Sequence, residues 1–384
     1  MNPIIRIRGW LARNLLRGRL MEWWVRRKVC KLEAHYHQEL VKSSVKPISS
    51  QTITGLKSSG PLRRMLLIGD FQWELKELAP ELSKICEMEI FDLHPDLHRH
   101  KPAGQPPAEI VARAIAGFIG SQHGLEPDVI LFYARPALLS DEVFHLLRKK
   151  WSCPLLGMNL DDKIEFLQYN LFSSGNDNYQ RWARQFDLNL SNVRAVVDWY
   201  GDRKLPVVYM PEGYHPKVAG PAQDVAGFHR EISFVGSRKP EREIFFRELL
   251  KLGVPIQPVG YGWPDSESGK DPEAVYRSSM LNLGIGFASP SETLTTLKTR
   301  DFECPGAGAC YLTTFNWELA MHFDIGREIL CYRSQSELVE QFSFYRRRPE
   351  ECLKIAQAAW RRCVAEHTWE QRFRKIFQQT GFKC

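Results

Sequence analysis

From residue 65 the chain alternates short apolar runs with segments of helical length, stops at a Pro-, Gly- and Ala-rich stretch over 211–230, and begins the same alternation again at residue 232. In the first set, apolar runs at 65–69, 88–91, 128–133 and 155–160 enclose helix-patterned segments at 73–84, 108–120 and 141–150. Further units pair 186–190 with 195–200 and then 206–210. In the second set, strand-like 232–235, 255–259, 280–285, 309–313 and 328–332 interleave with helix-like 241–252, 272–279 and 294–304. The remainder, 336–377, reads as helical with breaks near Pro349 and His367. A strand that is apolar on nearly every residue has no solvated face. Strands separated by helices of about 10–15 residues pair in parallel, because each connection must cross the sheet. The pattern predicts an α/β chain of two doubly wound, Rossmann-like domains. It divides as a basic extension and linker at 1–62, a first domain at 63–212, a second at 213–360 and a closing helix at 361–384.

Charge separates the first segment from the rest. Residues 1–60 carry 12 Lys/Arg against 3 Asp/Glu, whereas the other 324 carry 40 against 42. A near-neutral body argues against broad nucleic-acid binding. Residues 1–40, rich in Leu, Arg and Trp, read as a helical extension, and 41–62 as a linker. The apolar residues of 1–40 share no clean face, since Arg19 and Arg26 fall among Leu15 and Trp23. Two readings stand: a basic helix packed on protein, and a helix on an anionic membrane surface, favoured by Trp10, Trp23, Trp24 and the arginines. The nine cysteines form no Cys-x-x-Cys pair, which suits free thiols in a reducing compartment. No apolar run reaches the ~18 residues of a membrane span. Arginines at 6, 8, 13, 17 and 19 interrupt any signal-peptide core. These features predict a cytoplasmic location, free or peripheral at the inner face of a membrane.

The chemistry-bearing segments lie mostly in the second half. Residues 234–238, Phe-Val-Gly-Ser-Arg, end a strand just before helix 241–252, and the pattern predicts free N–H groups there beside Arg238, Lys239 and Arg242. Helix N-termini and guanidinium groups bind phosphate, so Gly236, Ser237, Arg238 and Arg242 are candidates for a diphosphate. Gly260-Tyr261-Gly262-Trp263 follows a strand at the end where open α/β sheets bind ligands, and Tyr261 or Trp263 suits a nucleobase. Asn282 is a polar residue inside an apolar run, placed either to contact ligand or to bond a neighbouring loop. Over 299–318, Arg300 and Glu303 stand one helical turn apart ahead of Gly306 and Gly308. A carboxylate at such a junction can accept both hydroxyls of a ribose.

In order and spacing, segments 232–238, 260–263, 276–282, 299–318, 328–338 and 366–372 resemble the C-terminal half of the spore-maturation-protein-B-like glycosyltransferases, which are GT-B enzymes. The resemblance covers about 205–375, extends loosely over 65–205 and leaves out 1–60. It implies a GT-B arrangement whose last helix crosses back onto the first domain. The implied activity is transfer of a sugar, most simply a hexose, from a nucleotide-diphosphate donor to a glycan, lipid or protein acceptor. No cofactor beyond the donor is implied, and the acid at 303 is the one that binds donor ribose. The chain departs from the retaining Glu-x7-Glu pattern, with Thr295 at the earlier position, so stereochemistry stays open. A base for inversion is expected from the first domain, at Asp70 or at Asp161-Asp162, with Asp162 the second candidate beside Asp70.

No Asp-x-Asp is present to hold a divalent cation, which predicts metal-independent transfer with the leaving group met by helix N-termini and basic side chains. The first strand ends Gly69-Asp-Phe-Gln, without the Gly-x-Gly-x-x-Gly of a dinucleotide-binding dehydrogenase, and Gly-x-Ser-x-Gly is absent. Two rivals keep the architecture: a sugar-nucleotide epimerase, and a non-catalytic glycan- or nucleotide-binding protein.

Overall fold

A computed structural model describes residues 56, 60–98, 106–133, 135–162, 179–217, 220–221, 224–263, 271–287 and 295–383. The helical extension expected over residues 1–40, with its membrane-surface reading, lies outside the described residues.

The first sheet holds β1 (Arg64–Gly69), β2 (Glu87–Asp92), β3 (Val129–Tyr133), β4 (Leu155–Asn159), β5 (Leu188–Ser191) and β6 (Val207–Tyr209) in the order β2-β1-β3-β4-β5-β6. Every pairing is parallel; Met65 lies opposite Val129, and Ile130 opposite Leu155. Side-chain alternation divides the strands between two cores. Leu66, Ile68, Ile130 and Phe132 enter one core, shared with α3 (Pro107–Ser121), α4 (Asp141–Lys150) and α6 (Arg194–Asp202). Met65, Leu67, Val129 and Leu131 enter the other, shared with α1 (Glu74–Leu82). Two short helices, α2 (His94–His98) and α5 (Tyr179–Ala183), lie in the same half.

The second sheet holds β7 (Arg230–Val235), β8 (Gln257–Val259), β9 (Ser279–Leu283), β10 (Tyr311–Thr314) and β11 (Leu330–Tyr332) in the order β11-β10-β9-β7-β8, again parallel. Among the described residues, the chain from β7 onward forms helices α7 (Pro240–Lys251), α8 (Pro272–Arg277), α9 (Arg300–Gly306), α10 (Gln335–Tyr345) and α11 (Pro349–Glu366), and then α12 (Trp369–Gln379). Helix α9 starts later than the expected 294–304. Thr296 donates its N–H to the Gly286 carbonyl and Thr295 bridges Phe287, so this stretch is tied to the exit of β9 before the helix begins. Helix α11 passes through residue 360 unbroken; the turn comes at His367, and Thr368 opens α12 with a reciprocal capping box to Gln371.

Helix α12 belongs to the first domain by packing. Trp369, Phe373, Ile376 and Phe377 are buried in the core of β1, β3 and α1. The crossing between domains is close. Tyr214 and Trp369 exchange backbone hydrogen bonds with the 367–369 turn and residue 214, each at 3.1 Å. Gly306 lets α9 lie against the Tyr214 ring, because a β-carbon there would fall 2.4 Å from Tyr214 Cε2. Among the described residues no helix is long and apolar enough to cross a membrane.

Candidate functional site

Both sheets reverse strand order at a switch point, between β1 and β3 in the first and between β7 and β9 in the second. Loops at the C-terminal ends of the strands on either side of such a point leave a crevice where ligands bind. The two crevices face a shared cleft of about 320 Å³. Trp73, Tyr133, Leu160 and Asp161 line it from the first domain; Lys298, Thr299, Arg300 and Glu303 line it from the second; Glu212 enters from the connecting segment. A second hollow of about 190 Å³ shares Trp73 and Tyr133 and runs up to Asp70 and Arg135.

The loop after β7 is zipped onto the loop after β8. Gly236 donates its N–H to the Val259 carbonyl at 2.9 Å, and Arg238 N–H donates to the Tyr261 carbonyl at 2.8 Å. This close approach needs glycines: a β-carbon on Gly260, whose φ is +133°, would lie 2.7 Å from the Gly236 carbonyl oxygen. The backbone N–H groups of Gly236 and Arg238 are therefore engaged by protein. Arg238 turns outward to pair with Glu243. Arg242 turns inward, donating to the Ser237 carbonyl at 2.7 Å.

Four cations gather behind this loop. Arg300 donates from Nη1 to the Val235 carbonyl at 2.9 Å, and its guanidinium and that of Arg242 lie 5.3 and 5.1 Å from the Phe234 ring. Burial, then the charge of Arg300, lowers the pKa of Arg242. Burial, then Arg242, with Lys298 and Arg300 also contributing, lowers that of Lys239. Arg300 differs: against the effect of burial, Tyr311, Tyr276, Asp301 and Glu303 raise its pKa. The repulsion falls on Arg242 and Lys239, where an anion would relieve it.

Glu303 projects into the cleft from α9, one turn beyond Arg300. Burial first, then repulsion from Glu77, pushes its carboxyl up to about 7 against the pull of Arg300. Glu212, which sequence reading left inside the linker, is buried between the domains. Its Oε1 accepts from Asn192 Nδ2 at 3.1 Å, and its Oε2 accepts from the Thr299 hydroxyl. Burial raises it to about 8. Its signal in sequence was only a Met-Pro-Glu-Gly run at the end of β6.

Other candidates stand elsewhere. Trp263 is packed on Phe246, rings 5.4 Å apart, and donates from Nε1 to the Gly236 carbonyl at 2.8 Å. It braces the loop, and the aromatic left open is Tyr261, 86% exposed beside Gly262. Asn282 is engaged inside the sheet: it accepts from the Ser233 hydroxyl and donates to the carbonyls of Tyr276 and Cys310. Gly306 serves the packing of Tyr214 described above. Asp162 is fully buried, hydrogen-bonded by the Tyr200 hydroxyl at 3.0 Å and raised by burial to about 7, whereas its neighbour Asp161 is exposed to the cleft. Asp70 accepts from His94, His98 and Arg135. Burial alone would raise its carboxyl, but the two histidine hydrogen bonds and the positive charge nearby hold it below the usual range. It is a held anion more than a free base.

Comparison with solved structures gives the same fold. Sucrose-phosphate synthase from Thermosynechococcus elongatus superposes with a TM-score of 0.53 at 12% identity, over 82% of this chain and 98% of that one. Anabaena HepE in complex with UDP and glucose gives 0.55 at 11% identity, over 83% and 98%. TarM gives 0.51 at 9% identity, over 70% and 58%. No curated protein sequence matches the chain significantly. The architecture is α/β and of the GT-B type, and within it residues 238–378 match a family model described as glycosyl transferase-like.

Proposed function

We propose that the protein is a glycosyltransferase that takes a sugar, most simply a hexose, from a nucleoside diphosphate and passes it to a hydroxyl-bearing acceptor. The observation that carries this reading is a cleft lined by Lys298, Arg300 and the carboxylate Glu303, with Lys239 and Arg242 near enough to feel the charge of Arg300. A nucleoside diphosphate has the matching chemistry, two phosphates beside a diol. The diphosphate sits against the four cations, Glu303 accepts from the ribose hydroxyls, and Tyr261 covers the base. The glycosyl transferase-like match over 238–378 supports a donor site in this half. The acceptor enters along the first-domain wall of Trp73, Tyr133 and Asp161.

In the transfer, the anomeric carbon–oxygen bond to the β-phosphate breaks and the diphosphate leaves with the electron pair. A bond forms from the anomeric carbon to the acceptor oxygen, whose proton passes to a carboxylate of the cleft or to the departing phosphate. The cations stabilise the leaving charge without a metal ion, acting on charge that develops in the transition state. Closure of the cleft excludes water. Because one structural relative holds UDP and glucose, UDP and UDP-glucose head the panel for a calorimetric screen of nucleoside diphosphates and their sugars. Binding of one base class in the micromolar range or tighter is expected; no binding by any of them contradicts the reading.

A further inference from the structure

The first domain holds a second constellation, to which the proposed donor site assigns no role. Asp70, at the C-terminal end of β1, meets two histidines presented by α2, His94 and His98, at positions four apart on one helical face. Residues at i and i+4 on a helix project the same way, which is how paired histidines grasp one metal ion. Asp70 Oδ1 lies 2.8 Å from His94 Nδ1, and Oδ2 lies 3.3 Å from His98 Nε2. The three ligand atoms fall within 4.8 Å of one another. Around a tetrahedral zinc, with bonds of about 2.0–2.2 Å, ligand atoms stand roughly 3.4 Å apart, so side-chain rotations alone bring these three to an ion.

The setting is built to hold the trio in place. Asp92 Oδ1 accepts from the backbone N–H of Phe71 at 3.2 Å and from that of His94 at 2.9 Å, pinning the residues beside Asp70 and at the start of α2 to one carboxylate. Arg135 donates to Asp70 Oδ2 at 2.8 Å. A ligating carboxylate is characteristically hydrogen-bonded on its far oxygen; Oδ1, now paired with His94 Nδ1, is the oxygen an ion would take in place of that hydrogen bond. Imidazole donors select zinc and its transition-metal neighbours over magnesium or calcium, which want oxygen.

We propose that Asp70, His94 and His98 form a site for one divalent transition-metal ion, zinc by its ligand chemistry, with an open coordination position toward the hollow lined by Gln72, Trp73, Tyr133 and Arg135. The open position takes an oxygen of the acceptor; that role alone rests on the transferase reading, while metal binding does not. The site is separate from the donor cations, which lie on the opposite domain.

The test is calorimetric titration of the full chain, first stripped with chelator, using zinc chloride and no nucleotide. One equivalent is expected in the parent protein. His98→Ala, at a side chain 48% exposed, is expected to weaken zinc by about 100-fold or more, and Asp70→Asn likewise. Should circular dichroism show His98→Ala to be misfolded, His98→Gln replaces it. No zinc uptake by the parent protein overturns the proposal, and so does uptake that none of these substitutions changes. Because nucleotide is absent from the titration, the outcome is independent of whether the protein transfers sugar.

Discussion

Gly236 and Arg300 meet in a way that only a glycine allows: a β-carbon at position 236 would lie 2.7 Å from Arg300 Nη1 and 3.0 Å from the Phe234 ring. The loop after β7 and the first residue of α9 are thus a single surface, held by the Arg300 hydrogen bond to Val235. Gly236→Ala also places a side chain at φ +155°. The variant is expected to lose about 1–3 kcal/mol of stability and, by displacing Arg300, to weaken nucleoside diphosphate about tenfold or more. Denaturant unfolding and calorimetry measure the two effects; donor affinity equal to that of the parent would detach Arg300 from the site.

Glu303→Gln keeps the shape of the side chain and removes its charge. Donor binding is expected to fall by about 1.5–3 kcal/mol, the range for hydrogen bonds to a charged group. Burial places the Glu303 carboxyl near 7, so the ionised acceptor is lost as pH falls through that value. Affinity in the parent protein should therefore weaken from pH 8 toward pH 6, and Glu303→Gln should flatten that dependence. A variant retaining the parent's pH profile removes Glu303 from the ribose.

Glu212 predicts a stability effect of defined sign. Its folded-state carboxyl sits near 8, above the ordinary value of 4.5. The folded protein thus holds a proton that the unfolded chain has released. The contribution is fully present below about 4.5 and is lost as pH rises through about 8, at about 1.4 kcal/mol per pH unit at most. Glu212→Gln does not titrate, so its unfolding midpoint should gain on that of the parent protein between those limits. Parallel curves would show that Glu212 is ionised throughout.

The two aromatic residues of the β8 loop separate by burial. Trp263→Ala removes a ring packed on Phe246 and is expected to cost about 3 kcal/mol of stability. Tyr261→Ala, at an exposed ring, is expected to leave stability within about 0.5 kcal/mol while weakening donor by about 1 kcal/mol through lost stacking. Thermal unfolding and calorimetry of both variants check the division.

What the sequence could show was decided by range of interaction. Strands β1, β3 and β4 are buried on both faces and so read directly as apolar runs, and the helical tail shows in its pattern and its breaks. The start of α9 did not, because Thr295 and Thr296 are held by Phe287 and Gly286, partners that no local pattern reveals. The choice between Asp161 and Asp162 is likewise tertiary: Asn159 Oδ1 holds the Asp161 N–H while Tyr200 captures Asp162. Glycines 236, 260 and 262 were legible as special residues. Their service to loop–loop packing, with the Gly236 N–H donated to Val259, was not. Glu212 lay in a stretch without periodicity, and only the meeting of Asn192 and Thr299 across it gives it a place.

The donor cations make a further claim about metal. UDP affinity should be the same in chelator as in excess magnesium, since Lys239, Arg242, Lys298 and Arg300 supply the charge. A tenfold gain with magnesium, about 1.4 kcal/mol, would mean that they do not suffice.

The most direct test is product analysis after long incubation with nucleotide sugars and no acceptor. A transferase whose donor site is the cleft of Arg300 and Glu303 should release free sugar and nucleoside diphosphate slowly, with Glu303→Gln slower still. Recovery of an isomerised nucleotide sugar would make the protein an epimerase, and intact donor alongside measurable binding would make it a non-catalytic binder; either result contradicts the account.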